Sequence, residues 1–164
     1  MSLHLIKSDS LFLHIPKTGG TWVEEALKAS GVEAEYAKAI SNVTWRHSLV
    51  SQYTQAYDFV FTFVRHPISW YESWWKFQTS LSWIEHEPGV WHPQRVLGKC
   101  ASNNFAEFTL SCIEQEPAYV SRMYEWYIGP QDVNSSISSD TMSGLQTILP
   151  ECSDYFRRNS MRKY

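Results

Sequence analysis

The chain has little cysteine, no long apolar run and no excess of basic residues, and each shortage excludes a class of protein. Its three cysteines form no CxxC pair, so neither a disulfide framework nor a zinc site is indicated. No stretch approaches the roughly 18–20 apolar residues that span a bilayer, which predicts a soluble chain without membrane contact. The formal net charge of −3 argues against nucleic-acid binding.

The composition is that of a folded protein. Hydrophobic residues make up 43% and charged residues 19% of 164 positions, which predicts one domain over residues 1–164. Residues 82–101 contain two prolines and two glycines with little periodicity, and we expect a mobile excursion there. The last eight residues, 157–164, form a basic tail that is either solvated or folded back onto the protein.

Two strand-turn-helix patterns follow each other along the chain. A buried strand is predicted at 11–15 and a helix at 22–30, which Gly31 ends. A second strand is predicted at 59–64, with Pro67 as the first residue of the next helix. This order predicts an α/β domain, P-loop-like, with three α/β/α layers and a short central parallel sheet.

The C-terminal half gives weaker signals. Asn103 or Asn104 is suited to cap a helix. Residues 124–128 fit a strand, although 119–127 fit a helix nearly as well, and 142–149 return to helical spacing.

The connection between the first strand and the first helix has the composition of an anion-binding loop. It reads Pro16-Lys17-Thr18-Gly19-Gly20-Thr21-Trp22, and we call it the anion loop. Two glycines let the backbone approach a ligand, while the helix N-terminus, a lysine and two hydroxyls supply positive charge and donors. In a Walker A loop the lysine follows the glycines, whereas here it precedes them, which disfavours ATP chemistry.

The anion loop, with His14-Ile15 before it, resembles the 5′-phosphosulfate loop of sulfotransferases that use 3′-phosphoadenosine 5′-phosphosulfate (PAPS). A second string, Phe63-Val64-Arg65-His66-Pro67 followed by Ser73, resembles the 3′-phosphate motif of the same family. Arg65 at a strand end can fork onto a phosphate that the Ser73 hydroxyl also reaches. Within this family the two motifs are most similar to those of the Golgi-type enzymes that act on carbohydrates. The resemblance implies that PAPS is the donor, that the acceptor is a hydroxyl or an amine, with carbohydrates among the candidates, and that no metal is needed.

One position departs from the family pattern. Relatives often carry a second arginine five positions after the first, and here that place is Trp70. Arg158 in the basic tail is the candidate substitute, because a later basic segment covers the nucleotide in many family members. The predicted donor site therefore comprises the whole anion loop with Arg65, Ser73 and Arg158, and the donor is expected across the carboxyl ends of the two strands.

The resemblance implies in-line attack of the acceptor on sulfur, with Lys17 neutralising the leaving phosphate oxygen. A hydroxyl acceptor needs a general base. His47 is the first candidate, since several carbohydrate-acting relatives carry a histidine in this region, and Glu25 is the reserve. The other candidates are Glu24 and, behind it, His14 and His66.

Two other functions stay open: an inactive nucleotide-binding module on the same fold, and, less favoured, a kinase. The compartment is cytoplasmic for a bacterial protein and the Golgi lumen otherwise.

Overall fold

The computed structural model of the protein describes residues 1–40, 47–83 and 92–129. These residues fall into two compact units, residues 1–63 and residues 64–129. Unit 1 contains strands β1 (Leu3–Leu5), β2 (Ser10–Phe12), β3 (Ala34–Tyr36) and β4 (Phe59–Phe61) with helix α1 (Gly20–Ala29). Unit 2 contains helices α2 (Pro67–Ser80), α3 (Pro93–Leu97), α4 (Phe105–Gln115) and α5 (Tyr119–Ile128). Mixed α/β structure is thus confirmed.

The sheet of unit 1 is mixed, which corrects the expectation of a parallel sheet. Its order is β3-β1-β2-β4; β2 and β4 are parallel, while β1 is antiparallel to both β2 and β3. The physical reason is the short connection at 6–9, because a parallel crossover needs a dozen or more residues. Asp9, at a φ of 42°, closes this turn.

Strand β4 forms an edge of the sheet in the described part of the chain. The parallel pairing predicted for this strand is confirmed, and β2 is its one neighbour among the described residues. The position explains why Phe59 and Val60 are 38% and 41% exposed despite their apolar character, while Phe61 is buried.

Helix α1 packs on one face of this sheet. Val23 and Leu27, four residues apart on the helix, join a cluster of buried side chains from β1, β2 and β4. This contact orients the helix so that its first turn follows directly on the loop from β2. The predicted helix at 22–30 is confirmed and begins two residues earlier.

Helix signals in unit 2 are borne out with two corrections. Pro67 is the first residue of α2, and the Asn104 side chain caps α4 by accepting from the amides of residues 106 and 107. Residues 119–128 form helix α5, so the strand at 124–128 is wrong. The prediction of an irregular excursion over 82–101 is also wrong for residues 93–100. These residues form α3 and a 3-10 turn, in which Leu97 and Cys100 are buried. Residues 84–91 lie outside the described ranges, as does the predicted helix at 142–149.

Candidate functional site

The anion loop turns sharply before it enters helix α1. Lys17 has a φ of 63° and Gly19 a φ of 95°, so two residues adopt the left-handed conformation. Glycine does so without steric cost, whereas Lys17 is held there at some expense. The Thr18 hydroxyl donates to the carbonyl of Ile15 at 2.9 Å and ties the loop to the segment that leads into it from β2.

Gly20 allows the first turn of α1 to lie directly on the His14 ring. A Cβ at Gly20 would stand 2.1 Å from two ring atoms of His14, far inside van der Waals contact. His14 is itself 7% exposed and stacks on Phe12 with ring centroids 6.1 Å apart. Gly20, the second glycine of the loop, is therefore required by packing. From the sequence pattern alone, this role could not be told apart from a role in letting a ligand approach the backbone.

The helix start presents a positive electrostatic environment. Gly19 occupies the N-cap of α1 and has no side chain with which to cap the helix. The first amides of an α-helix have no acceptor within it, and its dipole favours an anion there. Lys17 is partly buried beside this helix start, and Thr21, in the first turn, is exposed. These groups suit a phosphate or sulfate.

The remaining residues of the loop hold it in place. Pro16 is buried, and Trp22 is partly buried against the hydrophobic core of unit 1. The strands on which the loop rests are linked past their ends, because the Leu13 amide donates to the Phe61 carbonyl at 2.8 Å and the Thr62 hydroxyl donates to the Leu13 carbonyl at 2.6 Å. The carboxyl ends of β2 and β4 thus lie side by side at one sheet edge.

His47 is anchored next to the anion loop through His14. Its Nδ1 lies 3.1 Å from the backbone carbonyl of His14, and the two rings meet edge to face at 4.7 Å between centroids. A carbonyl only accepts, so Nδ1 carries the proton. In the neutral ring Nε2 then holds the lone pair and is the atom through which this ring can accept a proton.

The two glutamates of α1 differ in their surroundings, although both line a cavity of about 340 Å³ with His14 and Thr21. Glu24 accepts from the Tyr36 hydroxyl at 2.7 Å and from Lys28 Nζ at 2.9 Å. These bonds, that from Tyr36 above all, lower the pKa of Glu24 and make it a weaker base. Glu25 is exposed and is the better candidate of the pair for proton transfer.

Arg65 and Ser73 belong to unit 2. Arg65 is exposed just before α2, and Ser73 is partly buried two turns into that helix, as the spacing predicted. No sequence signal pointed to Tyr124 of α5, whose hydroxyl accepts from the Arg65 amide at 2.9 Å and donates to the Arg65 carbonyl at 2.8 Å. Tyr124 thus holds the Arg65 backbone from both sides.

Tyr124→Phe is expected to weaken the phosphate binding that the sequence predicts for Arg65. Loss of both bonds costs about 1 kcal/mol of stability and lets the Arg65 backbone move. Binding of 3′-phosphoadenosine 5′-phosphate (PAP) should weaken severalfold, while binding of adenosine 5′-phosphate, which lacks the 3′ group, should change little. Isothermal titration with both nucleotides measures this, and equal losses for the two would contradict the assigned role.

Arg158 and the basic tail lie outside the described residues. Within the described ranges, no group of three or more histidine, cysteine, aspartate or glutamate side chains is arranged to hold a metal ion. No helix in these ranges is both long and apolar enough to cross a bilayer.

Comparisons with protein-family models, with curated proteins and with solved structures find no match for this chain. The sulfotransferase hypothesis therefore rests on the two sequence motifs and on the local geometry of the residues that form them.

Proposed function

We propose that this protein is a PAPS-dependent sulfotransferase whose anion loop holds the 5′-phosphosulfate. The observation that carries the proposal is the start of helix α1, where a glycine N-cap follows two residues after a partly buried lysine, Lys17. Backbone amides, a helix dipole and a lysine charge are the groups that would bind one tetrahedral anion there. A three-layer P-loop-like architecture for the whole chain is part of the same proposal.

The order of residues in the loop favours sulfuryl over phosphoryl transfer. Lys17 and Thr18 come before the glycines, whereas in a Walker A loop the lysine and the hydroxyl that holds magnesium come after them. A sulfuryl group carries less charge than a phosphoryl group, so fixed donors and one lysine suffice to stabilise its transfer. Lys17 would neutralise the bridging oxygen as the S–O bond breaks, leaving PAP as product.

The acceptor oxygen or nitrogen would attack sulfur from the side opposite the leaving oxygen. Its proton would pass to His47, whose Nδ1 is held by the His14 carbonyl, or to Glu25 on the cavity side of α1. Arg65 and Ser73 would recognise the 3′-phosphate, which distinguishes PAPS from other adenosine nucleotides.

PAP should raise the melting temperature in the presence of EDTA, because the proposed site needs no metal. A ligand at one hundred times its dissociation constant stabilises a protein by about 2.7 kcal/mol, which a thermal-shift assay resolves easily. ATP with magnesium serves as the comparison and should have a much smaller effect. Stabilisation by ATP and magnesium but not by PAP would overturn the proposal in favour of a kinase.

Catalysis is separated from binding by a transfer assay with ³⁵S-labelled PAPS and a panel of sugars, phenols and amines. His47→Ala should reduce transfer while PAP binding persists, and Glu25→Gln tests the reserve base in the same way. Binding of PAP without transfer to any acceptor class would identify an inactive nucleotide-binding module.

A further inference from the structure

Two adjacent cavities of unit 1 flank helix α1 and share the side chains of Glu24, Lys28 and Tyr36. The inner cavity, of about 340 Å³, reaches Thr21 of the anion loop. The outer cavity, of about 180 Å³, extends away from it toward β3. We call the two together the α1 groove. Its inner volume alone lies at the lower end of the roughly 300–1,000 Å³ typical of small-molecule sites.

The two ends of the groove differ in chemistry. The inner end is lined by polar groups of Thr21, Glu25 and His14, which are suited to accept or donate hydrogen bonds. The outer end adds four apolar side chains, Leu3, Leu27, Val32 and Ala34. A ligand that fills both ends therefore has a polar head near the anion loop and an apolar tail toward β3.

The charges in the groove restrict the head further. Glu24, Glu25 and Glu35 bring three carboxylates, against one side-chain ammonium, that of Lys28, which Glu24 already pairs. An anionic head would meet this excess of carboxylates. A head with several hydroxyls avoids that repulsion and can donate hydrogen bonds to the carboxylates.

The shared wall of the groove is held in one arrangement. Glu24 Oε1 accepts from both the Tyr36 hydroxyl and Lys28 Nζ, which links α1 to β3 across the point where the cavities meet. Its charge is thus oriented before a ligand arrives, and preorganised polar groups favour a specific ligand because little ordering cost remains.

We propose that the α1 groove binds the acceptor and that the acceptor is an uncharged amphiphile, a sugar head carrying an alkyl or aryl tail. This rests on the proposed function for the acceptor role, whereas the ligand class rests on the groove itself. The head lies beside Thr21, where the sulfuryl group would be delivered, and the tail lies over Val32 and Ala34. Polyanionic glycans are excluded from the groove.

Three matched ligands test the ligand class by NMR titration, with and without PAP. Hexyl β-glucoside should bind at least tenfold more tightly than methyl β-glucoside, which lacks most of the tail, and than hexyl β-glucuronide, which adds a negative charge to the head. Equal affinity for the two glucosides, or tighter binding of the glucuronide, would overturn the proposal.

Ala34→Lys should abolish the advantage of the hexyl tail, because it introduces a charge into the apolar end. Ala29→Lys is the matched control, since Ala29 is exposed on α1 and lines neither cavity. An equal loss of hexyl glucoside affinity in the two variants would contradict the proposal that the tail binds in the groove. The thermal shift with PAP separates the two proposals. Stabilisation by PAP without selective glucoside binding would refute only the proposal that the groove binds the acceptor. Selective glucoside binding without a response to PAP would refute only the sulfotransferase function.

Discussion

Lys17→Ala is expected to lower kcat/KM for sulfate transfer by about 10²–10³-fold, the range found when one preorganised donor to a developing charge is removed. The lysine is partly buried at the start of α1, where its ammonium would act on the bridging oxygen. Most of the loss should appear in kcat, because charge on that oxygen grows as the bond breaks. Steady-state kinetics with labelled PAPS measures it.

Lys38→Ala is the control for Lys17→Ala, because it removes the same charge from an exposed position of unit 1. It should leave kcat/KM within twofold of the unmodified protein. The free energy of unfolding should be measured for both variants, since Lys17 has a φ of 63° and alanine must adopt it as well. A Lys17→Ala protein that is folded and transfers sulfate at the normal rate would refute the assigned role of the loop.

Gly20→Ala is expected to destabilise the protein by about 1–3 kcal/mol, although alanine is the better helix former. The added methyl group would stand 2.1 Å from the His14 ring, which has little room to move between Phe12 and His47. Either the ring or the first turn of α1 must shift. Because the same turn forms the anion loop, PAP binding should weaken together with stability. Urea denaturation and titration with PAP measure the two effects.

Two further variants separate the clash from other costs of losing a glycine. Gly19→Ala meets no atom within 4 Å, so its cost of about 1–2 kcal/mol comes from the φ of 95° alone. In a His14→Ala background the cost of Gly20→Ala should largely disappear, whereas that of Gly19→Ala should persist. If the His14→Ala background leaves both costs unchanged, the contact between Gly20 and His14 is not what limits this position.

The local features of unit 1 and unit 2 were the most accessible to sequence analysis. Pro67 and Asn104 mark helix starts through their own chemistry, a missing amide and a capping side chain, and need no distant partner. The loop between β2 and α1 was predictable for the same reason, since a proline and two glycines mark it. Strands of three residues, such as β1 and β3, carry too little periodicity to be recognised, because their formation depends on pairing with residues far along the chain.

Glu24 and Glu25 illustrate what the sequence could not decide within the site. The two are chemically identical neighbours, and only the approach of Tyr36 from β3 makes one of them a hydrogen-bonded anion of lowered pKa. Tyr124 likewise has no local signal, since it lies 59 residues from the Arg65 backbone that it holds.

The sequence by itself determined the composition of the anion loop and its difference from a Walker A loop, because both depend on residues adjacent in the chain. Tertiary structure decided that the sheet is mixed, that Gly20 is needed for contact with His14, and that His47 Nδ1 lies against the His14 carbonyl. Each of these depends on contacts between segments remote in sequence. Those contacts are set by the packing of the whole unit and not by the composition of any one segment.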